Sequence, residues 1–423
     1  MKLQLLLCLA LVSSGHPNAQ ADPPGPQPPP AVDLPAVNPG GTSPDTRKVV
    51  AGNTQFAADL YGQLRAQAGN LCFSPYSIST ALAMTCGGAR GETEKQMART
   101  LHFNLATDKL PPAFAALAAN LGAVQQQGRV QLAAANSLWP QAGFDFLPDY
   151  LTLCQKFFGT SITPVDYLKD TEGARKTING WVEVRTSRKI LELLKPGLLN
   201  RSSRLVLVNA IYFKGQWARQ FEAARTENEP FHRSLENPAA APLMRQTGKF
   251  GYAEFPGLQV LELPYAGGEL SMLLLLPREV DGLGRLETGL TPQQLTAWTA
   301  DLPPKDVTVF LPRFKLTAEF NLEETLKSLG MSDAFDSRRA DFSGMDGRKD
   351  LFISKVIHKA FVEVNEEGTE AAAATAVLVT FGGAPMKRPP IPVFRADHPF
   401  LFLIRANRTG SILFLGRVTD PTQ

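Results

Sequence analysis

The sequence predicts an α+β fold, with helices early in the chain and strands gathered late. Three patterns carry that expectation. Phe56, Leu60 and Leu64 stand four residues apart, with Ala57 and Tyr61 beside them, the spacing of one buried helical face. Residues 205–213 (LVLVNAIYF) are apolar almost throughout, as a strand covered on both faces must be. Two pairs of apolar runs, 258–263 with 270–276 and 400–404 with 412–415, flank turn sequences and read as hairpins. No period of 20–50 residues repeats, which argues against a repeat architecture.

The elements follow in chain order. Residues 1–21 have the layout of an export signal: Lys2, an apolar run over 3–12 broken only by Gln4, then Ala19-Gln20-Ala21 ahead of Asp22. That run is too short to span a bilayer, and Cys8 has too little apolar chain before it for a lipid acceptor. The protein is expected to be exported, either secreted or periplasmic. Residues 22–45 (DPPGPQPPPAVDLPAVNPGGTSPD) are proline-rich and lack aromatics, so they predict an extended tether. No second linker follows, and residues 46–423 read as one domain. Within it Pro75 and Ser77 predict a helix over 78–86 capped by Ser77, and residues 322–329 predict a short helix stopped by Gly330. Beyond Cys8 there remain Cys72, Cys86 and Cys154, an odd number without metal-ligand spacing, which reads as small buried thiols.

Hydrophobic residues make up 44% and charged residues 20% of the 423, enough to bury a large core. The net charge of +3 is too small to argue for nucleic acid or a membrane surface as partner. No H-E-x-x-H, G-x-S-x-G or P-loop sequence is present, which argues against an enzyme. No cofactor and no metal are expected.

The stretch 351–380 is the most informative. Val356, His358, Ala360, Val362 and Val364 alternate onto one face of a predicted strand, with Ile357 and Phe361 on the other. The composition then changes to EEGTEAAAATAV. Gly368 frees the backbone, and Thr369, Glu370, Ala371, Ala372, Ala373, Ala374 and Thr375 follow. Alternate residues Thr369, Ala371, Ala373 and Thr375 are all small, which suits a segment that slides between two strands. Composition by itself favours an alanine-rich helix instead.

Residues 362–376 (VEVNEEGTEAAAATA) resemble the hinge of the serpin reactive-centre loop. Residues 70–84 (NLCFSPYSISTALAM), 207–217 (LVNAIYFKGQW), 261–277 (LELPYAGGELSMLLLLP), 353–364 (ISKVIHKAFVEV) and 397–418 (DHPFLFLIRANRTGSILFLGRV) resemble further serpin motifs, in family order. The resemblance covers nearly everything after the proline-rich stretch. It implies the serpin fold, with helices packed around three β-sheets and an exposed reactive-centre loop that inserts into the main sheet. It also implies a suicide-substrate inhibitor of serine proteases, with cysteine proteases as a further class. The protease attacks the loop and forms an acyl-enzyme. The freed hinge then enters the sheet and drags the protease with it.

Site residues carry over one by one. His358 and Asn209 are polar residues on predicted buried strands, so each needs a partner. The family's matching pair joins two serines, here Ser74 and Ser77, in a "shutter" where the sheet parts. Trp217, Arg313 and Glu366 match the family's "breach", where the loop first enters, and the base at 313 can pair with the acid at 366. His102 and His232 fall in no motif. The family's count from the hinge glycine, started at Gly368, places the cut bond at Gly382–Gly383. Phe381 is the alternative for a chymotrypsin-like pocket, while Val379 and Thr380 suit elastase- or subtilisin-like enzymes. Lys387 and Arg388 would attract trypsin.

Two features depart from the family pattern. The interval from Gly368 to Pro399 is long for a serpin loop. Residues 111–121 (PPAFAALAANL) match a helix that carries a basic heparin-binding face in some serpins, yet contain no Lys or Arg, so no heparin site is expected. The expected partner is an elastase-, subtilisin- or chymotrypsin-like serine protease, met by a monomer. A non-inhibitory serpin is the alternative, and the small alternate residues from Thr369 to Thr375 argue against it.

Overall fold

The computed structural model describes residues 42–160, 162–300, 302–368 and 390–423. Residues 1–21, expected to be an export signal, nearly all of the expected tether 22–45, hinge residues 369–375 and Phe381, Gly382 and Gly383 lie outside the described residues.

Helix α1 (Pro44–Leu64) opens the domain. Ser43 caps it by accepting from the Thr46 N–H at 3.1 Å, and Pro44 needs no N–H in the first turn. Pro44 and Asp45 therefore belong to the domain rather than to the tether assigned from sequence. Phe56, Ala57, Leu60, Tyr61 and Leu64 are buried, as their spacing predicts. Helix α2 (Pro75–Cys86) corrects the predicted start, because its cap is Ser74 and not Ser77. The Ser74 hydroxyl accepts from the Ser77 N–H at 3.1 Å, which places Ser77 inside the first turn. Then come α3 (Gly91–Thr100), α4 (Leu110–Gln126), α5 (Pro148–Phe158) and α6 (Thr171–Arg185). Four short helices follow: α7 (Leu283–Thr288), α8 (Pro292–Thr299), α9 (Glu323–Ser328) and α10 (Ser343–Asp346). Gly330, at φ +110°, lies just beyond α9, as predicted.

The strands are β1 (Leu71–Phe73), β2 (Val130–Pro140), β3 (Leu205–Gly215), β4 (Glu227–His232), β5 (Pro238–Phe255), β6 (Leu258–Pro264), β7 (Leu270–Pro277), β8 (Pro304–Pro312), β9 (Phe314–Asn321), β10 (Ile353–Val364), β11 (Val393–Arg395), β12 (Phe400–Ala406) and β13 (Ile412–Val418). Both predicted hairpins form, β6 with β7 and β12 with β13.

A four-stranded sheet runs β2-β3-β10-β9. Its central pair, β3 and β10, is parallel from Leu205–Ile353 to Phe213–Val362, and both flanking pairs are antiparallel. The remaining strands form a nine-stranded path, β1-β13-β12-β7-β6-β5-β8-β11, with β4 on β5. Strand β5 joins what the family description counts as two separate sheets. Its first part pairs with β4 and β8, and Gly251 to Phe255 pair with β6.

One face of the four-stranded sheet packs on the larger one, where Phe213 meets Phe414 at 6.0 Å and Phe314 meets Phe402 at 5.6 Å between ring centroids. The other face carries Val208, Ala210, Tyr212, Ile357 and Phe361, buried together with Ile178 and Val182 of α6. This two-sided cover is why β3 is apolar at almost every position. Cys72, Cys86 and Cys154 are free and buried, and burial pushes the Cys86 and Cys154 thiols up to about 12. They pack as small hydrophobes and are not nucleophiles.

Candidate functional site

Asn209 on β3 and His358 on β10 are register partners, and both are buried. Asn209 faces Asn136 on β2, and His358 faces Phe320 on β9, whose ring stacks on the imidazole at 6.3 Å and 11°. One row of side chains thus crosses all four strands. The Ser74 N–H donates to His358 Nε2 at 3.0 Å. A backbone N–H can only donate, so Nε2 is bare and Nδ1 holds the proton that goes to Asn209 Oδ1. Burial drives the imidazole pKa down to about 3, and the bond to Asn209 opposes this only weakly. His358 is therefore neutral.

The Asn209 amide donates to the Ser77 carbonyl at 2.9 Å, to the Ser77 hydroxyl at 2.6 Å and to Asn136 Oδ1. The Ser77 hydroxyl in turn donates to Asn136 at 3.2 Å. The N-terminal turn of α2 is pinned to β10 through Ser74 and to β3 through Ser77. Parting the two strands breaks the Asn209–His358 bond and pulls these anchors apart.

Beyond the end of β10 the chain reverses over residues 365–368. Asn365 N–H donates to the Gly368 carbonyl at 2.9 Å, and the return bond is 3.3 Å. Gly368 sits at φ +128°, and a Cβ there would lie 2.1 Å from the Gly215 carbonyl oxygen and 2.6 Å from Trp217 N. Only glycine fits this approach. The Trp217 indole donates to the Asn365 carbonyl at 3.0 Å and stacks on Tyr265 at 4.6 Å. Its backbone N–H donates to the Glu367 carbonyl at 2.9 Å.

Arg313 Nε reaches both carboxylate oxygens of the buried Glu366, at 2.7 and 2.8 Å, and Nη2 and the Thr226 hydroxyl add further bonds. Burial by itself would raise the Glu366 carboxyl. The Arg313 and Thr226 bonds outweigh it and hold the group below its usual range. A cleft lined by Trp217, Phe221, Arg313, Glu363 and Glu366 lies at this turn.

The predicted residues thus fall into two contiguous groups. Ser74, Ser77, Asn209 and His358 hold the middle of the β3–β10 seam. Trp217, Arg313, Glu366 and Gly368 hold its end. Sequence reading missed Asn136, which stands beside Ser137 in β2 and so lacks the isolation that singled out Asn209. Thr226 and Asn365 gave no signal, because their partners are set by how the 365–368 turn lies. Among the described residues no group of three or more His, Cys, Asp or Glu is placed to hold a metal.

The family model described as "Serpin (serine protease inhibitor)" matches residues 51–421. Human leukocyte elastase inhibitor is 46% identical over 379 residues, covering 87% of this chain and 98% of the relative. The leukocyte elastase inhibitor of Xenopus laevis is 44% identical over 376 residues, covering 87% and 98%. Among solved structures, Serpin48 of the insect Tenebrio molitor superposes with a TM-score of 0.80 at 31% identity, over 90% of this chain and all of that one. Uncleaved ovalbumin superposes at 0.79 and 30% identity, over 88% of this chain and all of the other. With the loop-bearing strand, the seam and the matched length all in agreement, the chain belongs to the serpin family.

Proposed function

We propose that this chain inhibits serine proteases as a suicide substrate, trapping the acyl-enzyme as its cleaved loop joins the four-stranded sheet. The observation that carries this reading is the parallel pairing of β3 with β10, together with the turn over residues 365–368 that follows β10. A strand made from residue 369 onward, running back between the two, would be antiparallel to both. One parallel ladder is then exchanged for two antiparallel ladders. The small alternate residues of the hinge suit the buried face of such a strand.

Hydrogen bonds do not decide the direction by themselves. Each contributes about 0.5–1.5 kcal/mol net, and fixing each residue costs about 1–2 kcal/mol. Apolar burial and relief of the native arrangement supply the remainder.

The relatives' name points to elastase as one protease that such a chain can meet. The residues around Phe381 and Gly382 extend this to elastase-, chymotrypsin- and subtilisin-like enzymes. The loop is consumed rather than turned over, so the protein acts as no catalyst. Residues 1–21 support export, which N-terminal sequencing of a secreted product beginning at Asp22 would test. A monomer is the working state, checked by sedimentation.

The deciding experiment mixes the protein with pancreatic elastase, chymotrypsin, subtilisin and trypsin and looks for an adduct that survives SDS. An adduct with one of the first three is expected. Clean cleavage by all four, without adduct, would favour the non-inhibitory alternative.

A further inference from the structure

Strand β11 is three residues long, lies at an edge of the larger sheet and pairs only with β8. Thr308 N–H donates to the Pro392 carbonyl and Ala396 N–H to the Phe310 carbonyl, both at 2.9 Å. So short an edge strand holds weakly, yet it follows directly on residues 369–389 and must bear their far end.

A half-buried charged cluster lies just beyond it. Asp397 accepts from Arg395 Nε at 2.9 Å and faces His398 Nδ1 at 2.8 Å. Arg395 also pairs with Glu229 of β4 and lies 4.3 Å over the Phe310 ring of β8. The His232 backbone N–H of β4 donates to the Asp397 carbonyl at 2.7 Å. His398 is 7% exposed, and its Nε2 lies 2.7 Å from the Pro277 carbonyl oxygen at the end of β7. Next to Pro277, Arg278 is engaged by Glu254.

A carbonyl oxygen and a carboxylate both only accept. His398 makes both bonds only with a proton on each ring nitrogen, as the imidazolium. Arg395 bridges Asp397 and Glu229, Arg225 and Arg245 line the cleft beside Glu229, and an imidazolium at 398 adds a cation on the Asp397 side. Burial alone would raise the Asp397 carboxyl, yet its bonds to His398 and Arg395 hold it below the usual range.

We propose that His398, carrying both protons, is a positioning residue that clamps β11 against β7 and β8 and so fixes the far end of the reactive-centre loop. Its consequence for inhibition rests on the inhibitory reading above, whereas the clamp itself does not. A neutral imidazole has one N–H and can serve Pro277 or Asp397, not both. The clamp is complete while His398 holds both protons and loosens when it loses one. With β11 released, the loop can follow its hinge into the seam uncut, and inhibitory capacity decays without any protease.

Amide exchange at Thr308 and Ala396, corrected for the intrinsic pH dependence, tests this at about pH 5.5 and about pH 9, on either side of the free imidazole value. In the wild type their protection is expected to fall about tenfold over this range, the worth of one hydrogen bond, while β12–β13 amides stay constant. His398→Gln, which keeps one donor and one acceptor, is expected to show the low value at both pH values. The half-life of inhibitory activity without protease should follow the same pattern. Equal protection at both pH values in the wild type, or an unchanged pH slope in His398→Gln, would overturn the clamp. Should the variant not fold, the wild-type exchange decides alone. Exchange as expected with no protease trapped at any pH would keep the clamp and remove the inhibitory reading. Flat exchange with adducts intact would do the reverse.

Discussion

The bond from His358 Nδ1 to Asn209 Oδ1 spans the parallel pair β3 and β10 at the point where an added strand has to pass. Replacing His358 with Ala leaves the Ser74 N–H and Asn209 Oδ1 without partners in a dry site. Each unsatisfied group costs about 1–3 kcal/mol. The variant is expected to melt several degrees lower and to form oligomers through the loosened seam, read by calorimetry and size-exclusion chromatography. A monomer of unchanged melting temperature would contradict the shutter role.

The same residue sets an acid dependence. His358 titrates at about 3 in the folded protein, far below the ~6.5 of a free imidazole. Between these values the unfolded chain binds more protons than the folded one. Stability is therefore complete above the free value and is lost as pH falls, by up to about 1.4 kcal/mol per pH unit from this group. His358→Gln lacks that slope. Urea midpoints of wild type and variant should converge from neutral pH toward pH 4, and parallel curves would show that His358 does not carry the effect.

Gly368→Val is expected to open the turn at the end of the seam. Its Cβ would meet the Gly215 carbonyl and the Trp217 backbone nitrogen, and β-branched residues avoid positive φ. Trp217 should lose its place against Tyr265, visible as a red shift of tryptophan emission. An unshifted spectrum with wild-type stability would show that the turn has room to relax.

Arg417→Ala tests the frame rather than the site. Its guanidinium, 5% exposed, bonds Glu287 at 2.7 Å and the carbonyls of Gly69 and Arg65 at 2.8 and 3.1 Å. The Tyr61 hydroxyl donates to the same Glu287 oxygen at 2.6 Å. Truncation strands a buried carboxylate and should cost about 3–5 kcal/mol. Arg417→Ala combined with Glu287→Gln should recover part of this in urea unfolding, and no recovery would place the loss elsewhere.

The loop itself yields three expectations. A chain nicked within residues 376–388 should resist heat far better than the intact one, and Ala373→Arg should turn inhibitor into substrate, because the arginine would be buried unpaired as the loop inserts. A cut after Lys387 also leaves a tether five residues longer than one after Gly382, about 17 Å at ~3.3 Å per residue. Trypsin should therefore cleave more than it is trapped. A trypsin adduct whose released peptide begins at Arg388 would show that the extra length is part of the working bait.

The sequence by itself determined the class of fold, both hairpins, the two-sided burial of β3 and two polar residues of the seam, Asn209 and His358. These were legible because each is a local pattern: period, apolar runs, or an isolated polar residue where burial demands a partner. Asn209 and His358 stand out for that reason, whereas Asn136 sits beside Ser137 and does not. The tertiary structure alone decided that Asn209 and His358 sit in register on parallel strands more than a hundred residues apart in the chain. It also decided that Ser74 rather than Ser77 caps α2, and that Arg313, itself exposed, closes on the buried Glu366. It alone placed His398 between two acceptors. Register, cap and pairing depend on where separate segments meet in space, and local composition carries no record of that distance. The serpin motifs, read as a resemblance, supplied part of it in advance.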